Sequence, residues 1–328
     1  MTGRLALGFN PVLPVGEAVK LSQKAEQLGY ESVWFHESLY QRDVFSYLSS
    51  VLLSTSRLIA GSGAMNTFTR HPLTAAATFA SLSELSSGRV RMGLGLGSFP
   101  TIPNIGYRIF PVAETRPLKR ISEYVEIARS YWAGEKLSFR GEFYTAENLQ
   151  ADFRGPAVPL YIATLSPKTQ KFAGSHADGA ILSPAIATAE TTRDMVLNVS
   201  EGEKASNRRV DKASYLLTSV DEDGNRARDV VRRFYFFLYQ LSDVIKPEVL
   251  SGYGVKAEDL ERFRTAWRKG APDAASLVPP SAVDALAIAG SPAEARRRIE
   301  DYLKAGVDLP ILMPIGNVNY AIENLGPS

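Results

Sequence analysis

The segment from Leu58 to Ser98 constrains the fold of this chain most strongly. In it, two short apolar runs that end in glycines flank one amphipathic stretch, which begins at Pro72. Short apolar runs that alternate with helical segments are typical of βαβ units and a parallel sheet. Pro72 suits the first helical turn, because the backbone N–H that proline lacks would have no partner there. The segment therefore predicts a strand, a helix and a second strand parallel to the first.

The same alternation runs along the whole chain and predicts eight strands. They are Leu5–Phe9, Ser32–Phe35, Leu58–Gly63, Val90–Leu94, Leu160–Ala163, Gly179–Leu182, Ala213–Val220 and Leu309–Pro314. Eight strands with their helices in 328 residues match a (β/α)8 TIM barrel of the α/β class. A doubly wound sheet is the alternative, but it usually shows a change of composition between its halves, and none is visible here.

The alternation is interrupted twice, after predicted strands four and seven. Ser98–Pro111 has no period and predicts a long loop, followed by a helix at Thr115–Ala133 and a hairpin within residues 137–158. After strand seven we predict one long helix, Arg226–Leu241. We therefore expect one domain over residues 1–328 with insertions at these two places. The irregular, mostly helical insertion at about 246–290 either covers the site as a lid or only packs on the barrel.

The composition excludes several classes of function. The absence of cysteine excludes disulfides, thiolate catalysis and Cys-ligated metals. A formal net charge of +2 gives no general attraction to nucleic acid or to anionic membranes. No apolar run approaches the ~18 residues of a membrane span, and no signal-peptide pattern is visible. We expect a cytoplasmic protein with a small-molecule substrate and neither a nucleic-acid nor a membrane partner.

In TIM barrels the reactive groups lie at the carboxyl ends of the strands. That rule selects polar residues and glycines that follow the predicted strands. They are Asn10, Glu37, Ser38, the Gly63–Asn66 turn, Ser98 and Thr164–Lys168.

Two motifs near these positions each lack a residue that the corresponding binding site requires. Gly93–Ser98 would be a dinucleotide fingerprint only with glycine at Ser98, so its glycines are better explained by close approach of a ligand to the backbone. His36-Glu37 begins a zinc-protease motif, but Tyr40 stands where the second histidine is required. We therefore predict no metal site.

Two further motifs are predicted to have a structural role rather than a role in the site. In Arg70-His71-Pro72, we expect Arg70 to pair with an acid and His71 to cap the helix. At the end of the same helix, we expect Gly88 to form the C-cap, and Glu84 or Arg89 to form an ion pair.

The segment Leu165–Thr169 opens a helix after strand five. Free backbone N–H groups, two hydroxyls and Lys168 would suit a phosphate group. Ordinary N-capping by Ser166, with Pro167 at the first position, explains the same residues, and the two interpretations are compatible.

Four blocks of the chain resemble the bacterial luciferase-like superfamily, and within it the branch that depends on the deazaflavin coenzyme F420. The blocks are Ser32–Glu37 with Arg42-Asp43, Gly61–Pro72 running into Leu82–Arg89 and Gly93–Ser98, Pro159–Leu182, and Gly290–Gly316. The resemblance implies a TIM barrel that binds a flavin or deazaflavin at the strand ends. It also implies a cis peptide bond at Gly63–Ala64, behind the ring, and a phosphate loop at Leu165, Ser166 and Thr169.

The chain departs from this branch after strand two, where Glu37-Ser38 replaces the frequent Asp-His pair. The departure argues against oxidation of a substrate alcohol and leaves Glu37 to bind the coenzyme or to donate a proton. We therefore expect hydride transfer between coenzyme F420 and a small organic substrate, such as a methylene-tetrahydropterin-like compound or an activated C=C or C=N compound. The expected catalytic residue is Glu37. The expected cofactor-binding residues are Asn10, Glu37, Ser38, Gly63, Ala64, Met65, Asn66, Ser98, Leu165, Ser166, Lys168 and Thr169.

Two alternatives to this function stay open. One is an FMN-dependent monooxygenase that uses reduced flavin and O2, and the other is a non-catalytic flavin-binding protein. The second and third predicted helices are rich in small residues (Ala75–Ala77, Ala80 and Ser81), which permit close helix packing. A homodimer through this side of the protein is therefore expected.

Overall fold

The fold is given by a computed structural model, which describes residues 3–37, 41–96, 116–153, 156–182 and 186–327. The strands are β1 (Ala6–Phe9), β2 (Ser32–Phe35), β3 (Ile59–Ser62), β4 (Met65–Asn66), β5 (Val90–Gly95), β6 (Leu137–Arg140), β7 (Thr145–Leu149), β8 (Leu160–Ala163), β9 (Gly179–Leu182), β10 (Asp211–Val220), β11 (Ile288–Gly290) and β12 (Leu309–Pro314).

The helices in the described ranges run in chain order between these strands. They are α1 (Val15–Gln27), α2 (Val44–Ser54), α3 (Pro72–Ser86), α4 (Pro117–Ala133), α5 (Pro167–His176), α6 (Ala189–Ser206), α7 (Gly224–Arg233), α8 (Tyr235–Tyr239), α9 (Pro247–Ser251), α10 (Ala257–Arg268), α11 (Pro280–Leu286), α12 (Pro292–Lys304) and α13 (Val318–Leu325). A π-helical turn (Gln240–Val244) and a 3-10 turn (Ala274–Leu277) complete the set. Among these helices, none has the length and apolar character needed to cross a membrane.

Eight parallel strands close into a TIM barrel, as the alternation predicted. They pair in the order β10, β12, β1, β2, β3, β5, β8 and β9, and β9 pairs with β10 to complete the ring. All eight occupy the predicted positions to within a few residues. The hairpin predicted within 137–158 is formed by β6 and β7, which are antiparallel. The long loop predicted at Ser98–Pro111 lies outside the described residues.

Three local predictions were wrong. The helix expected over Arg226–Leu241 is interrupted, because Phe234 adopts an extended conformation between α7 and α8 and the chain then enters the π-helical turn. Ser87, rather than Gly88, is the left-handed C-cap of α3. Arg89 donates to the carbonyls of Leu52 and Leu58 rather than to an acid.

The chain forms two compact units, and the first comprises Gly8–Ile181 with Leu197–Lys212. Two aromatic side chains of its sheet, Trp34 and Tyr161, pack against each other. Their rings meet edge to face with centroids 5.1 Å apart. Glycines make the space for both rings: a Cβ at Gly61 would lie 2.5 Å from Trp34, and one at Gly179 would lie 2.1 Å from Tyr161.

The second unit comprises Met1–Leu7, Leu182–Val196 and Ala213–Ser328. Ser291 and Glu294 form the predicted capping box at the start of α12. Arg228 of α7 donates to Glu294 (2.9 Å) and to Asp284 (2.8 Å). Hydrogen bonds from Ser291 and Arg228 lower the pKa of Glu294 to about 2, so this contact stays ionic throughout the neutral range.

Candidate functional site

The carboxylate of Glu37 stands directly after β2 and is the centre of a polar network. Its Oε1 accepts a hydrogen bond from Nε of Arg70 (2.8 Å), and its Oε2 accepts from the backbone N (2.9 Å) and Nδ2 (2.8 Å) of Asn66. The Glu37 side chain is only 4% exposed, so these donors replace water around the carboxylate. Glu37 thereby joins the end of β2 to the turn that follows β3.

Arg70 links this carboxylate to the start of α2. It also donates to Asp43, the N-cap of α2, and its guanidinium stacks on the ring of Phe45 at 4.4 Å. Burial alone would lower the pKa of Arg70, but the bonds to Glu37 and Asp43 outweigh burial and raise it. The expectation that Arg70 pairs with an acid is confirmed, and so is capping of α3 by His71, which accepts from the N–H of Leu73.

The Gly63–Asn66 segment connects β3 to β4 and carries the implied cis bond. The peptide bond Gly63–Ala64 is cis. Met65 and Asn66 pair with Leu94 and Gly95 of β5. Oδ1 of Asn66 accepts from the backbone N of Phe68 and of Thr69, each at 3.0 Å, and so closes the turn. Polar contacts therefore hold both ends of this segment, at Gly63 and at Asn66.

The glycines of β5 permit close packing of the backbone and do not leave open space beside the strand. A Cβ at Gly93 would lie 1.9 Å from the carbonyl oxygen of Ser62, and the Ser62 hydroxyl bonds both backbone groups of Gly93. At Gly95 a Cβ would lie 3.2 Å from the Ala163 carbonyl oxygen and 3.5 Å from the Cβ of Ala64. Gly93 is thus needed for strand contact, whereas Gly95 marks the place where Ala64 meets the end of β8.

The second predicted group of site residues begins α5. Pro167 takes the first helical position and Ser166 the N-cap position, but no hydrogen bond from the N-terminal backbone N–H groups reaches the Ser166 side chain. The backbone N of Ser166 donates instead to the hydroxyl of Thr164 (3.1 Å). Leu165 is 52% exposed, and Thr169 is buried. The capping role expected of Ser166 is therefore met by position and not by its hydroxyl.

The remaining predicted residues are placed only in part. Asn10 follows β1, is partly exposed, and accepts from the backbone N of Leu13 through its carbonyl oxygen. Ser38 and Ser98 lie outside the described residues. Within the described ranges, no three His, Asp or Glu side chains are grouped closely enough to hold a metal ion.

Sequence reasoning assigned two nearby residues no role in the site. Arg70 was read as scaffold, yet it bonds directly to Glu37. His36 figures in the sequence only as part of a failed zinc motif, although it directly precedes Glu37 after β2.

Comparison with known proteins assigns this architecture to a family. The family model described as luciferase-like monooxygenase matches residues 4–309. The 5,10-methylenetetrahydromethanopterin reductase of Methanolobus tindarius is 29% identical over 327 residues, covering 97% of this chain and 95% of the relative. An F420-dependent glucose-6-phosphate dehydrogenase of Amycolatopsis mediterranei is 28% identical over 309 residues, covering 89% and 86%. The solved structure of the coenzyme F420 dependent tetrahydromethanopterin reductase from Methanopyrus kandleri superposes with a TM-score of 0.87 at 25% identity, covering 99% of this chain and 98% of that one.

Proposed function

This chain belongs to the luciferase-like monooxygenase family, and we propose that it is an oxidoreductase that transfers hydride between coenzyme F420 and a small organic substrate. One observation carries the proposal: Ala64, Gly95 and Ala163 meet at the carboxyl ends of their strands, beside the carboxylate network of Glu37. Relatives named as F420-dependent enzymes, aligned over most of the chain, support the choice of coenzyme.

The residues present fit such a coenzyme at two places. The N-terminus of α5, with Ser166, Lys168 and Thr169, offers backbone N–H groups, hydroxyls and a cation to a phosphate. Gly63, Ala64, Met65 and Asn66 would lie behind the ring, on a segment that hydrogen bonds already hold. The proposal for Asn10, Ser38 and Ser98 as further contacts rests on their positions after predicted strands, where TIM barrels place their reactive groups. When bound, the coenzyme supplies a two-electron carrier for hydride.

We propose a methylene-tetrahydropterin-like compound, or one with an activated C=C or C=N bond, as the substrate. Hydride addition to such a bond leaves its electron pair on the second atom, which then needs a proton. Glu37 remains the proposed residue for proton handling. To deliver that proton, the Glu37 carboxylate would first have to take one up from solvent and give up at least one of its present bonds to Arg70 or Asn66.

Titration with both coenzymes tests the proposal. We expect the fluorescence of coenzyme F420 to be quenched when the coenzyme binds. Its dissociation constant should be at least tenfold below that of FMN, a difference in binding free energy of about 1.4 kcal/mol. Anaerobic mixing with reduced coenzyme F420 and methylene-tetrahydropterin, or an activated enone, should then restore the absorbance of the oxidised coenzyme. Tight binding of FMN without affinity for coenzyme F420, together with oxygen consumption by reduced FMN, would establish the monooxygenase alternative instead.

We also propose a homodimer through α2 and α3. Leu53 on α2 is 68% exposed, Leu85 on α3 is 50% exposed, and α2 has no charged residue. A face of small and apolar residues, without charge along α2, can pair with a second copy of itself. Leu53→Arg should weaken dimerisation at least tenfold by light scattering, because it would bury an unpaired charge. Leu197→Arg on α6, at 56% exposure, is the matched control and should leave the mass unchanged. A monomeric wild-type protein would contradict this proposal.

A further inference from the structure

The turn between β4 and α3 carries the residues that donate to the Glu37 carboxylate. Asn66 donates through its backbone N and its Nδ2, and Arg70 donates through Nε. Residues 67–71 between these elements form neither helix nor strand. The placement of both donors therefore depends on the contacts that hold the backbone of this turn.

Two tyrosine hydroxyls bond the backbone carbonyls of the turn. The hydroxyl of Tyr144 donates to the carbonyl oxygen of Thr67 at 3.0 Å, and this bond is buried. The hydroxyl of Tyr124, in α4, donates to the carbonyl oxygen of Arg70 at 3.3 Å. One bond lies beside Asn66 and the other lies on Arg70 itself, so the two tyrosines hold the turn next to each donor of Glu37.

Tyr144 reaches the turn because the β6–β7 hairpin is bound to α4. The buried carboxylate of Glu123 in α4 accepts from the backbone N of Glu142 (2.8 Å) and of Phe143 (2.9 Å). A Cβ at Gly141 would overlap Oε2 of Glu123, so the carboxylate lies directly against the hairpin backbone. Burial raises the pKa of Glu123, but the bonds it accepts outweigh burial and lower it. A charged anchor on α4 therefore fixes the chain immediately before Tyr144.

The ring of Tyr144 is held by neighbours that do not depend on its hydroxyl. It packs edge to face against His71, the N-cap of α3, and against Tyr124, with ring centroids 5.5 Å and 5.8 Å away. Nη1 of Arg120 donates to the Tyr144 oxygen at 3.5 Å. Burial raises the pKa of Tyr144, so the hydroxyl keeps its proton at neutral pH and can donate it to Thr67.

We propose that Tyr144 is a positioning residue of the site, whose hydroxyl holds the Thr67 carbonyl and thereby keeps Asn66 against the Glu37 carboxylate. Asn66 and Thr67 are joined by one peptide bond, so movement of the Thr67 carbonyl displaces both donor groups of Asn66. The effect on the coenzyme rests on the proposed function, which places Asn66 behind the coenzyme ring. The hydrogen bond itself does not require the coenzyme.

A hydrogen-exchange series in the apoprotein tests the proposal without any ligand. Tyr144→Phe removes the hydroxyl and keeps the ring. Exchange of the backbone amides of residues 66–69 should then accelerate about tenfold, because an unsatisfied buried carbonyl favours opening. Replacement of Tyr144 by para-aminophenylalanine restores an N–H donor on the same ring and should keep the rates within about threefold of wild type.

Tyr302→Phe is the matched control for the loss of a buried tyrosine hydroxyl. Tyr302 of α12 also donates to a backbone carbonyl, that of Ala187, at 2.6 Å. Its replacement should leave the exchange of residues 66–69 within about twofold of wild type. Wild-type rates in Tyr144→Phe, equal acceleration in Tyr302→Phe, or failure of para-aminophenylalanine to rescue would overturn the positioning role.

Affinity for coenzyme F420 distinguishes an effect through Glu37 from general loosening of the fold. Tyr144→Phe should weaken binding about tenfold in the wild-type background. In the Glu37→Gln background it should weaken binding by less than about twofold, because Asn66 has already lost its carboxylate partner. Equal losses in the two backgrounds would show that Tyr144 does not act through Glu37. If wild type does not bind coenzyme F420, the proposed function fails, while hydrogen exchange in the apoprotein still decides the role of Tyr144.

Discussion

Gly202→Ala is expected to lower the free energy of unfolding by about 3 kcal/mol, although alanine is the better helix former. Gly202 lies in α6 where it crosses α5, and a Cβ there would lie 2.0 Å from the carbonyl oxygen of Lys171. The contact is reciprocal, because a Cβ at Gly174 of α5 would lie 2.0 Å from the carbonyl oxygen of Val199. Backbone atoms on both helices cannot move aside as a flexible side chain can, so the helices must separate.

Gly16→Ala in α1 is the matched control for this substitution. A Cβ at Gly16 would meet nothing within 4 Å, so alanine should be neutral or stabilising by up to about 0.5 kcal/mol. Denaturant unfolding of both variants measures the contrast, and failure of Gly202→Ala to fold agrees with the expected direction. Equal stabilities of the two variants would show that α5 and α6 are not in backbone contact.

The same substitution should weaken coenzyme binding, because α5 begins at the proposed phosphate loop. Separation of α5 from α6 displaces a helix whose N-terminal residues include Lys168 and Thr169. We therefore expect affinity for coenzyme F420 to fall in Gly202→Ala and to stay unchanged in Gly16→Ala.

The strands of the barrel could be predicted because each is a short apolar run with a helix after it. β4 and β11 escaped prediction, because two and three residues are too few to show a period. The interruption of the helix at Phe234 could not be predicted for a different reason. The buried residues of α7 are Ala227 and Val231, whereas α8 buries Phe237 and Leu238, and a change in the direction of the chain lets both pairs reach the interior. Such a change depends on packing partners that are distant in sequence.

The candidate site was predictable in its positions but not in its contacts. The strand-end rule selected Glu37 and Asn66, and the structure joins them across 29 residues of sequence. The sequence also indicated that Arg70 needs an acid, but it could not identify Glu37 as that acid, because the pairing depends on the arrangement of neighbouring strands. Arg70 therefore belongs at once to the scaffold and to the proposed site.

Glu37→Gln is expected to cost about 2–3 kcal/mol of stability and to weaken binding of coenzyme F420 at least tenfold. The carboxylate accepts from Arg70 at one oxygen and twice from Asn66 at the other. A carboxamide has one acceptor and one NH2 donor, so either orientation turns the NH2 toward an existing donor. Burial prevents water from relieving this conflict, because only 4% of the Glu37 side chain is exposed.

Glu17→Gln is the matched control, because Glu17 pairs with Lys20 at an exposed position and should change stability by less than about 0.5 kcal/mol. A double-mutant cycle of Glu37→Gln with Arg70→Leu separates the pair from its surroundings. We expect a coupling energy of about 1–2 kcal/mol, because removal of both partners eliminates the conflict between donors at Oε1. Additive effects would mean that Arg70 does not stabilise the Glu37 carboxylate. Where stability and affinity both hold in Glu37→Gln and only the turnover of reduced coenzyme F420 falls, Glu37 acts by proton transfer rather than by holding Asn66 in place.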